Sequence, residues 1–273
     1  MKSLSFTKMS GAGNDFIICE HQARMNYVAL ARKICDRSNG IGADGLIILC
    51  PSRKTDYRMR IINADGSEAE MCGNGARCLA AYIARVKKLS KKQFGMETLA
   101  GIILAEAGGD VATIRLSEPK DYRSNIKLSI HNRSLELQFI DTGVPHVTIF
   151  VSGLEEINVD HIGRAIRFHK TFAPKGTNVN FVEILKPDLV DVRTYERGVE
   201  AETRACGTGS VASALMAWMQ LHPQVTETTG ARMRVKTRNG DILNVTFDIV
   251  NHTPTQVWLK GPARFVAQGI YFL

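Results

Sequence analysis

Two blocks of this 273-residue chain recur at one fixed offset, and no other feature limits its fold so tightly. GIGADGLIIL (40–49) parallels KGTNVNFVEI (175–184), and EAEMCGNGARCLAAYIA (68–84) parallels AETRACGTGSVASALMAW (201–218). The step along the chain from Gly42 to Gly176 equals the step from Cys72 to Cys206. A weaker pair, SGAGNDFII (10–18) and DTGVPHVTIF (141–150), matches Gly13 to Gly143 at a slightly shorter offset. The order glycine turn, glycine strand, cysteine helix therefore occurs twice, which predicts two halves of similar fold. The boundary is expected near 117–123, where SEPKDYR supplies proline and charge without apolar periodicity. Two domains are predicted, 1–118 and 119–262.

Short apolar runs punctuated by glycine dominate the chain. LSFTKM, DFIICE, GLIILC, YRMRIINA and GIILAEA read as strands, with DVATIRLS as a hairpin partner after Gly108-Gly109. Helices are predicted over Tyr27–Cys35, Gly75–Lys87 and Gly209–Leu221. The fold class is α/β in the mixed, α+β sense, with strands in the majority. Hydrophobic residues at 44% and charged residues at 23% match a folded globular chain and disfavour disordered, collagen-like and coiled-coil classes. No apolar run approaches the roughly 18 residues of a membrane helix and no signal-peptide pattern opens the chain, so no membrane partner and a cytoplasmic location are expected. Six cysteines without secretory context do not read as a disulfide framework, and most are expected to be reduced thiols. The formal charge of +8 raises a nucleic-acid reading. Its best support, RVKKLSKK (85–92), follows an apolar helix, suits a solvated C-terminal helix end and holds no aromatic residue for stacking on bases, so no nucleic-acid partner is expected.

The chemistry is expected at the two cysteine turns. In each, the cysteine precedes small residues, Gly73-Asn74-Gly75 and Gly207-Thr208-Gly209, and then an alanine-rich helix. Residues without bulk let a ligand approach the backbone, and the open N–H groups of a helix start attract a carboxylate. The same helix end favours thiolate over thiol. Two such turns on repeated halves facing one ligand would set thiols on opposite sides of a single carbon, a layout for moving a proton from one face to the other. One thiolate removes an α-proton, the helix starts stabilise the enolate-like charge, and the opposite thiol returns a proton. Cys19, Cys35, Cys50 and Cys78 lie in apolar patterns and read as core. Zinc at Cys72 and Cys78 fits poorly, because no Cys/His pair accompanies that spacing.

Polar residues flank both turns. Asn63, in INADGS, and Glu196-Arg197, in YERG, end strands shortly before each cysteine and bring amide, carboxylate and guanidinium within reach; Asn63 equally reads as a turn former. His146 lies in the repeat partner of the Asn14 turn, where it reads either as setting the protonation of a nearby thiol or as locally satisfied.

The segments MSGAGNDFIICE, GIGADGLI, NADGSEAEMCGNGARC, GVPH, GTNVNFV and YERGVEAETRACGTGSVAS resemble, in this order and over about residues 6–265, the diaminopimelate epimerases, cofactor-independent enzymes that interconvert LL- and meso-diaminopimelate. The resemblance implies two pseudo-symmetric domains, each a mixed sheet or barrel wrapped around a central helix, with a C-terminal strand, 263–273, returning to the first domain and the active site in the interdomain cleft. It implies Cys72 and Cys206 as the two-base pair, Gly73-Asn74 and Gly207-Thr208 as the carboxylate cradle, and Asn14 as a substrate contact. Asn63, Asn178 and Arg197 match residues that grip the distal end of the substrate, and His146 and Glu196 match residues that adjust the cysteines. Neither pyridoxal phosphate nor metal is implied; a small amino-acid substrate and a homodimer are.

The sequence departs from the family at three points. Val144 stands where members often have Asn, Gly45 where some have Gln, and one extra residue separates Glu196 from Cys206 relative to a YERGAGET form. These touch substrate contacts and leave the thiols in place. They keep open a racemase of relaxed specificity, acting for example on glutamate through the same two cysteines.

Overall fold

A computed structural model describes residues 3–89, 93–130 and 133–273. The chain divides into two compact units, residues 1–115 with 260–273, and residues 116–259.

In the first unit β1 (Ser3–Gly11) and β2 (Asn14–Glu20) form a hairpin, followed by α1 (Tyr27–Ile34), β3 (Gly45–Cys50), β4 (Tyr57–Asn63) and the short β5 (Glu68–Ala69). Then come α2 (Gly73–Val86), β6 (Gln93–Thr98), β7 (Gly101–Gly108) and β8 (Val111–Arg115). β1–β2 is antiparallel, β2–β3 parallel, β3–β4 and β4–β5 antiparallel, β4–β6 parallel and β6–β7 antiparallel. The reason for the layers is legible in β3, which is buried at every position. Its Leu46, Ile48 and Cys50 pack with Tyr27, Leu30, Ala31 and Ile34 of α1, while Ile47 faces Gly75 of α2. A strand covered on both faces reads as a continuous apolar run rather than an alternating one. Each Leu or Ile so buried is worth about 1.5–3 kcal/mol.

α2 is the central element. All of Gly73–Ile83 is buried, and the helix packs on β1, β2, β3, β4, β7 and β8. A helix enclosed on all sides needs small or apolar residues around its circumference, which the run Ala76-Arg77-Cys78-Leu79-Ala80-Ala81 supplies with one charged exception. Beyond it, the basic run is described only as far as Leu89, and Ser90–Lys92 lie outside the described residues. Arg85 lies over the Phe265 ring at 4.3 Å and Lys87 pairs with Glu20 at 2.8 Å, so two of its cations are engaged within their own unit.

The second unit runs β9 (Lys120–Ile130), β10 (Arg133–Asp141), β11 (Pro145–Phe150), α3 (Val159–Arg167), β12 (Asn178–Lys186), β13 (Leu189–Glu196), β14 (Ala201–Thr203), α4 (Gly207–Leu221), β15 (Thr228–Lys236) and β16 (Ile242–Val250). β17 (Thr253–Pro262) begins here and ends in the first unit, where β18 (Arg264–Phe272) pairs antiparallel with β1. From β10 to β16 the pairings are antiparallel, parallel, antiparallel, antiparallel, parallel, antiparallel, the same series as from β1 to β7. α4 corresponds to α2, is buried from Gly209 to Trp218 and packs on β10–β13, β15 and β16. The fold is mixed α+β, dominated by strands, with two units of one design.

Sequence reading missed α3. It is nine residues long and places Val159, Gly163 and Ile166 against the sheet, opened by Asn158, whose side chain accepts from His161 N at 3.1 Å. A Cβ at Gly163 would sit 2.5 Å from Tyr195 Cβ, so the helix reaches the sheet only through a glycine. The apolar spacing 159, 162, 163, 166 and the Asn cap were the available signals.

Candidate active site

Each cysteine turn is a helix cap made by sulfur. Cys72 (φ −139°, ψ 117°) and Cys206 (φ −115°, ψ 115°) are extended residues immediately before α2 and α4. Cys72 Sγ accepts from Gly75 N at 3.5 Å, and Cys206 Sγ accepts from Gly209 N at 3.4 Å. Oxygen from Ser, Thr, Asp or Asn ordinarily fills this position. A sulfur held by a helix N–H has its anionic form favoured by that donor and by the helix dipole. The helical ladder starts with Ala76 N to Cys72 O and Ser210 N to Cys206 O, both 2.8 Å. The N–H groups of Gly73, Asn74, Gly207 and Thr208 precede it, at the helix-start position whose donors suit an anion.

Cys206 is buried and Cys72 half-buried. Cys19, Cys35, Cys50 and Cys78 are all buried, none of the six forming a disulfide. Burial pushes the thiols of Cys19, Cys35 and Cys78 up to about 12, and raises Cys50 also. They are core thiols; Cys78 Sγ lies so near the β1 backbone that a Cβ at Gly11 would meet it at 2.8 Å.

On the Cys72 side, a directed chain of hydrogen bonds orients the polar residues. Arg77, fully buried on α2, donates to Asn74 Oδ1 at 2.7 Å and to the Gly73 carbonyl at 3.4 Å. Asn74 Nδ2 donates to Asn14 Oδ1 at 2.7 Å, and Asn14 Nδ2 to Asp44 Oδ2 at 2.8 Å. Guanidinium is donor only and carboxylate acceptor only, so the two ends fix the direction of both amides. Each amide keeps a second N–H, the donor character that suits a carboxylate. Asp44 is anchored in turn by Arg37 at 2.7 Å, which also pairs with Asp15 at 2.7 Å.

On the Cys206 side, His146 is fully buried on β11. Its Nε2 lies 3.0 Å from Thr208 Oγ1 and its Nδ1 3.2 Å from Asn180 Nδ2. Thr208 Oγ1 is 3.6 Å from Cys206 Sγ. His146 therefore reaches the sulfur through Thr208. Burial, reinforced by the Arg197 charge, lowers the imidazole to about 3, so the ring is neutral at ordinary pH. The Glu196 carboxyl, at the end of β13, is raised by burial and carries a hydrogen bond with Cys206 that opposes the rise. A carboxylate made less acidic beside a thiol is suited to receive its proton.

The expected distal residues are placed less openly. Asn178 Nδ2 donates to the Pro145 carbonyl at 3.0 Å and its Oδ1 accepts from Arg197 N at 2.8 Å, so this amide ties β11 to the turn after β13. Arg197 Nη1 donates to the Lys175 carbonyl at 3.2 Å, and among the described residues no carboxylate pairs with this guanidinium. Asn63 Nδ2 donates to Ser67 Oγ at 3.0 Å across the turn that its backbone closes, the turn-former geometry. The longer loop before Cys206 turns through Glu200 at φ 61°, held by Arg167 at 3.0 Å. At Gly45 a Cβ would lie 3.1 Å from the Ile62 carbonyl, so a side chain there requires the strand to shift. Sequence reading missed Arg77, Asp44 and Asn180. The signals were a charge within an otherwise small and apolar helix run, an acid between two glycines, and a second Asn in a strand buried from Asn178 to Val182.

The diaminopimelate epimerase family profile matches residues 6–118 and 138–266. The curated diaminopimelate epimerase of Chlorobaculum tepidum is 40% identical over 266 residues, covering 96% of this chain and 98% of that one. That of Carboxydothermus hydrogenoformans is 39% identical, covering 99% and 100%. Among solved structures, a PhzF-family phenazine biosynthesis protein from Bacillus anthracis superposes with a TM-score of 0.73 at 17% identity over the whole of both chains. A probable proline racemase from Agrobacterium radiobacter superposes at 0.71 with 15% identity, covering 99% and 92%. At such identities the solved structures share the fold alone. The profile and the near full-length relatives carry the stronger conclusion, that this chain belongs to the diaminopimelate epimerase family of isomerases.

Proposed function

We propose that the protein interconverts LL- and meso-diaminopimelate without a cofactor, through Cys72 and Cys206 as a two-base pair, within lysine and peptidoglycan-precursor synthesis. The observation that supports this most is the twin capping geometry: two sulfurs at matching points of the sequence repeat, each accepting the N–H of the glycine that follows in its helix start, in units with the same strand order. In one direction a thiolate takes the α-proton, breaking the C–H bond and leaving its electron pair on the α-carbon and carboxylate. Donors at the helix starts, with the Asn14 and Asn74 amides, stabilise the enolate-like charge. The opposite thiol gives its proton to the other face, inverting the centre and becoming the thiolate. Glu196 holds the Cys206 proton when that sulfur serves as base, and Thr208 and Gly209 stabilise the resulting anion. Arg197 grips a distal carboxylate of the substrate.

Turnover in deuterium oxide tests the reading. Deuterium enters at one α-carbon of diaminopimelate, and Cys72→Ala and Cys206→Ala each lower kcat by at least about a thousandfold. Conversion at the wild-type rate in both variants would refute the two-base mechanism, and no exchange in the parent would refute the substrate.

A second reading, a racemase of relaxed specificity for amino acids such as glutamate, is favoured by one observation. Asn63 and Asn178 each use an amide hydrogen within the chain, and Arg197, whose guanidinium pairs with no carboxylate among the described residues, is the strongest distal contact and suits any substrate with a distal carboxylate. Racemisation of glutamate at a kcat/KM near that for diaminopimelate would support it; strict dependence on diaminopimelate would eliminate it.

A further inference from the structure

We propose that Asn180 is a positioning residue, setting which ring nitrogen of His146 bears the proton and so making the Thr208 hydroxyl a hydrogen-bond donor to the Cys206 sulfur. The Val147 carbonyl oxygen can only accept. Asn180 Nδ2 lies 3.0 Å from the Val147 carbonyl, so the amide nitrogen, not its oxygen, must face that way. The Thr194 hydroxyl donates to Asn180 Oδ1 at 3.0 Å and holds the other end. The second Nδ2 hydrogen then points at His146 Nδ1, 3.2 Å away, and that nitrogen must carry the lone pair. The neutral ring's single proton is consequently on Nε2 and is donated to Thr208 Oγ1 at 3.0 Å. Having accepted there, the hydroxyl turns its own hydrogen to Cys206 Sγ at 3.6 Å. Four groups in series thus transmit the direction imposed by one backbone carbonyl.

Packing keeps the relay in register. Asn180 is fully buried in β12, opposite Thr148 of β11, and its Oδ1 is the atom a Cβ at Gly209 would strike at 2.5 Å. The amide therefore lies directly beneath the turn that carries the sulfur. The charged and titratable groups facing this set are Glu196, hydrogen-bonded to Cys206, and Arg197, whose charge acts on His146.

The relay's meaning for catalysis rests on the proposed role of Cys206, but its existence is testable without turnover. Asn180→Asp keeps the shape and leaves one hydrogen at most. Whether ionised or with that proton on the Val147 carbonyl, the Asp side chain offers His146 Nδ1 only an acceptor. The ring proton should move to Nδ1, Nε2 should become the acceptor, and the Thr208 hydroxyl should donate to it instead of to sulfur. Nitrogen-15 NMR of the imidazole reads the tautomer directly. Iodoacetamide labelling followed peptide by peptide reads the pH midpoint of Cys206, with Cys72 as internal control. Loss of one donor should lower the Cys206 thiolate fraction about tenfold at a given pH, moving its midpoint up by about one pH unit. Thr208→Val should give a similar shift, and the double variant should shift no further than either single one. An unchanged tautomer in Asn180→Asp, an equal shift at Cys72, or additive shifts in the double variant would overturn the relay. Tautomer and labelling results as expected in a protein that does not exchange the α-proton of diaminopimelate would instead leave the relay standing and remove the assigned reaction.

Discussion

Gly75 and Gly209 occupy the same position in the two central helices, yet the same substitution should have unequal consequences. Alanine gains about 1 kcal/mol over glycine in a helix, and both positions would receive it. At Gly75 the new methyl meets Ile47 Cδ1 at 3.0 Å, Ile61 Cδ1 at 3.3 Å and Phe16 Cζ at 3.5 Å. These are the ends of side chains that yield by a few tenths of an ångström, and mild overpacking of about 1–2 kcal/mol roughly cancels the helical gain. At Gly209 the methyl lies 2.5 Å from Asn180 Oδ1 and 3.2 Å from both Cβ and Sγ of Cys206. Asn180 is tied to Val147, His146 and Thr194, so ordinary contact requires displacing a fully bonded buried amide. Stranding the Val147 carbonyl and one further partner costs about 1–3 kcal/mol each. Less the helical gain, Gly209→Ala should therefore lose about 1–5 kcal/mol in urea unfolding, against no more than about 1 kcal/mol for Gly75→Ala. Iodoacetamide labelling of folded Gly209→Ala should show a changed rate at Cys206 alone. Equal stability of the two variants, with native Cys206 labelling in Gly209→Ala, would refute the reasoning.

Two other perturbations test the electrostatics. Arg77→Met removes the donor that directs Asn74 and Asn14; a destabilisation of about 2–4 kcal/mol and at least a tenfold loss in kcat/KM are expected, measured by urea unfolding and initial rates, and retention of both would show that the amides are oriented by other means. His146 is buried neutral, and its lowered folded-state value means that unfolding takes up a proton at mildly acidic pH. Its contribution is fully present above about pH 6.5 and is lost as pH falls towards about 3, so the parent should lose about 1.4 kcal/mol more than His146→Gln between about pH 8 and about pH 5.5. Parallel stability profiles for the two proteins would place that proton elsewhere.

Local sequence made the elements legible wherever burial leaves a one-dimensional trace. The two central helices were visible because a helix enclosed by strands must be small or apolar all round, and the strands because apolar runs end at glycines. α3 escaped because it is short, carries Asp160, His161, Arg164 and Arg167 among its nine residues, and is fitted to the sheet by Gly163, a residue that argues locally against a helix. Asn63 could be read as a turn former or as a ligand contact, and only its bond to Ser67 gives the turn geometry.

From its order of residues alone this chain determined a duplicated design, two capped cysteines and the small residues beside them, because repetition, helix starts and glycine turns are all short-range facts. What only the tertiary structure decided was direction. Which way the Asn14, Asn74 and Asn180 amides point, and which nitrogen of His146 holds the proton, follows mostly from partners far away along the chain. A hydrogen bond has a donor end and an acceptor end, and an amide or imidazole shows its choice only when a group that can do one thing alone, such as the Arg77 guanidinium, the Asp44 carboxylate or the Val147 carbonyl, is folded against it.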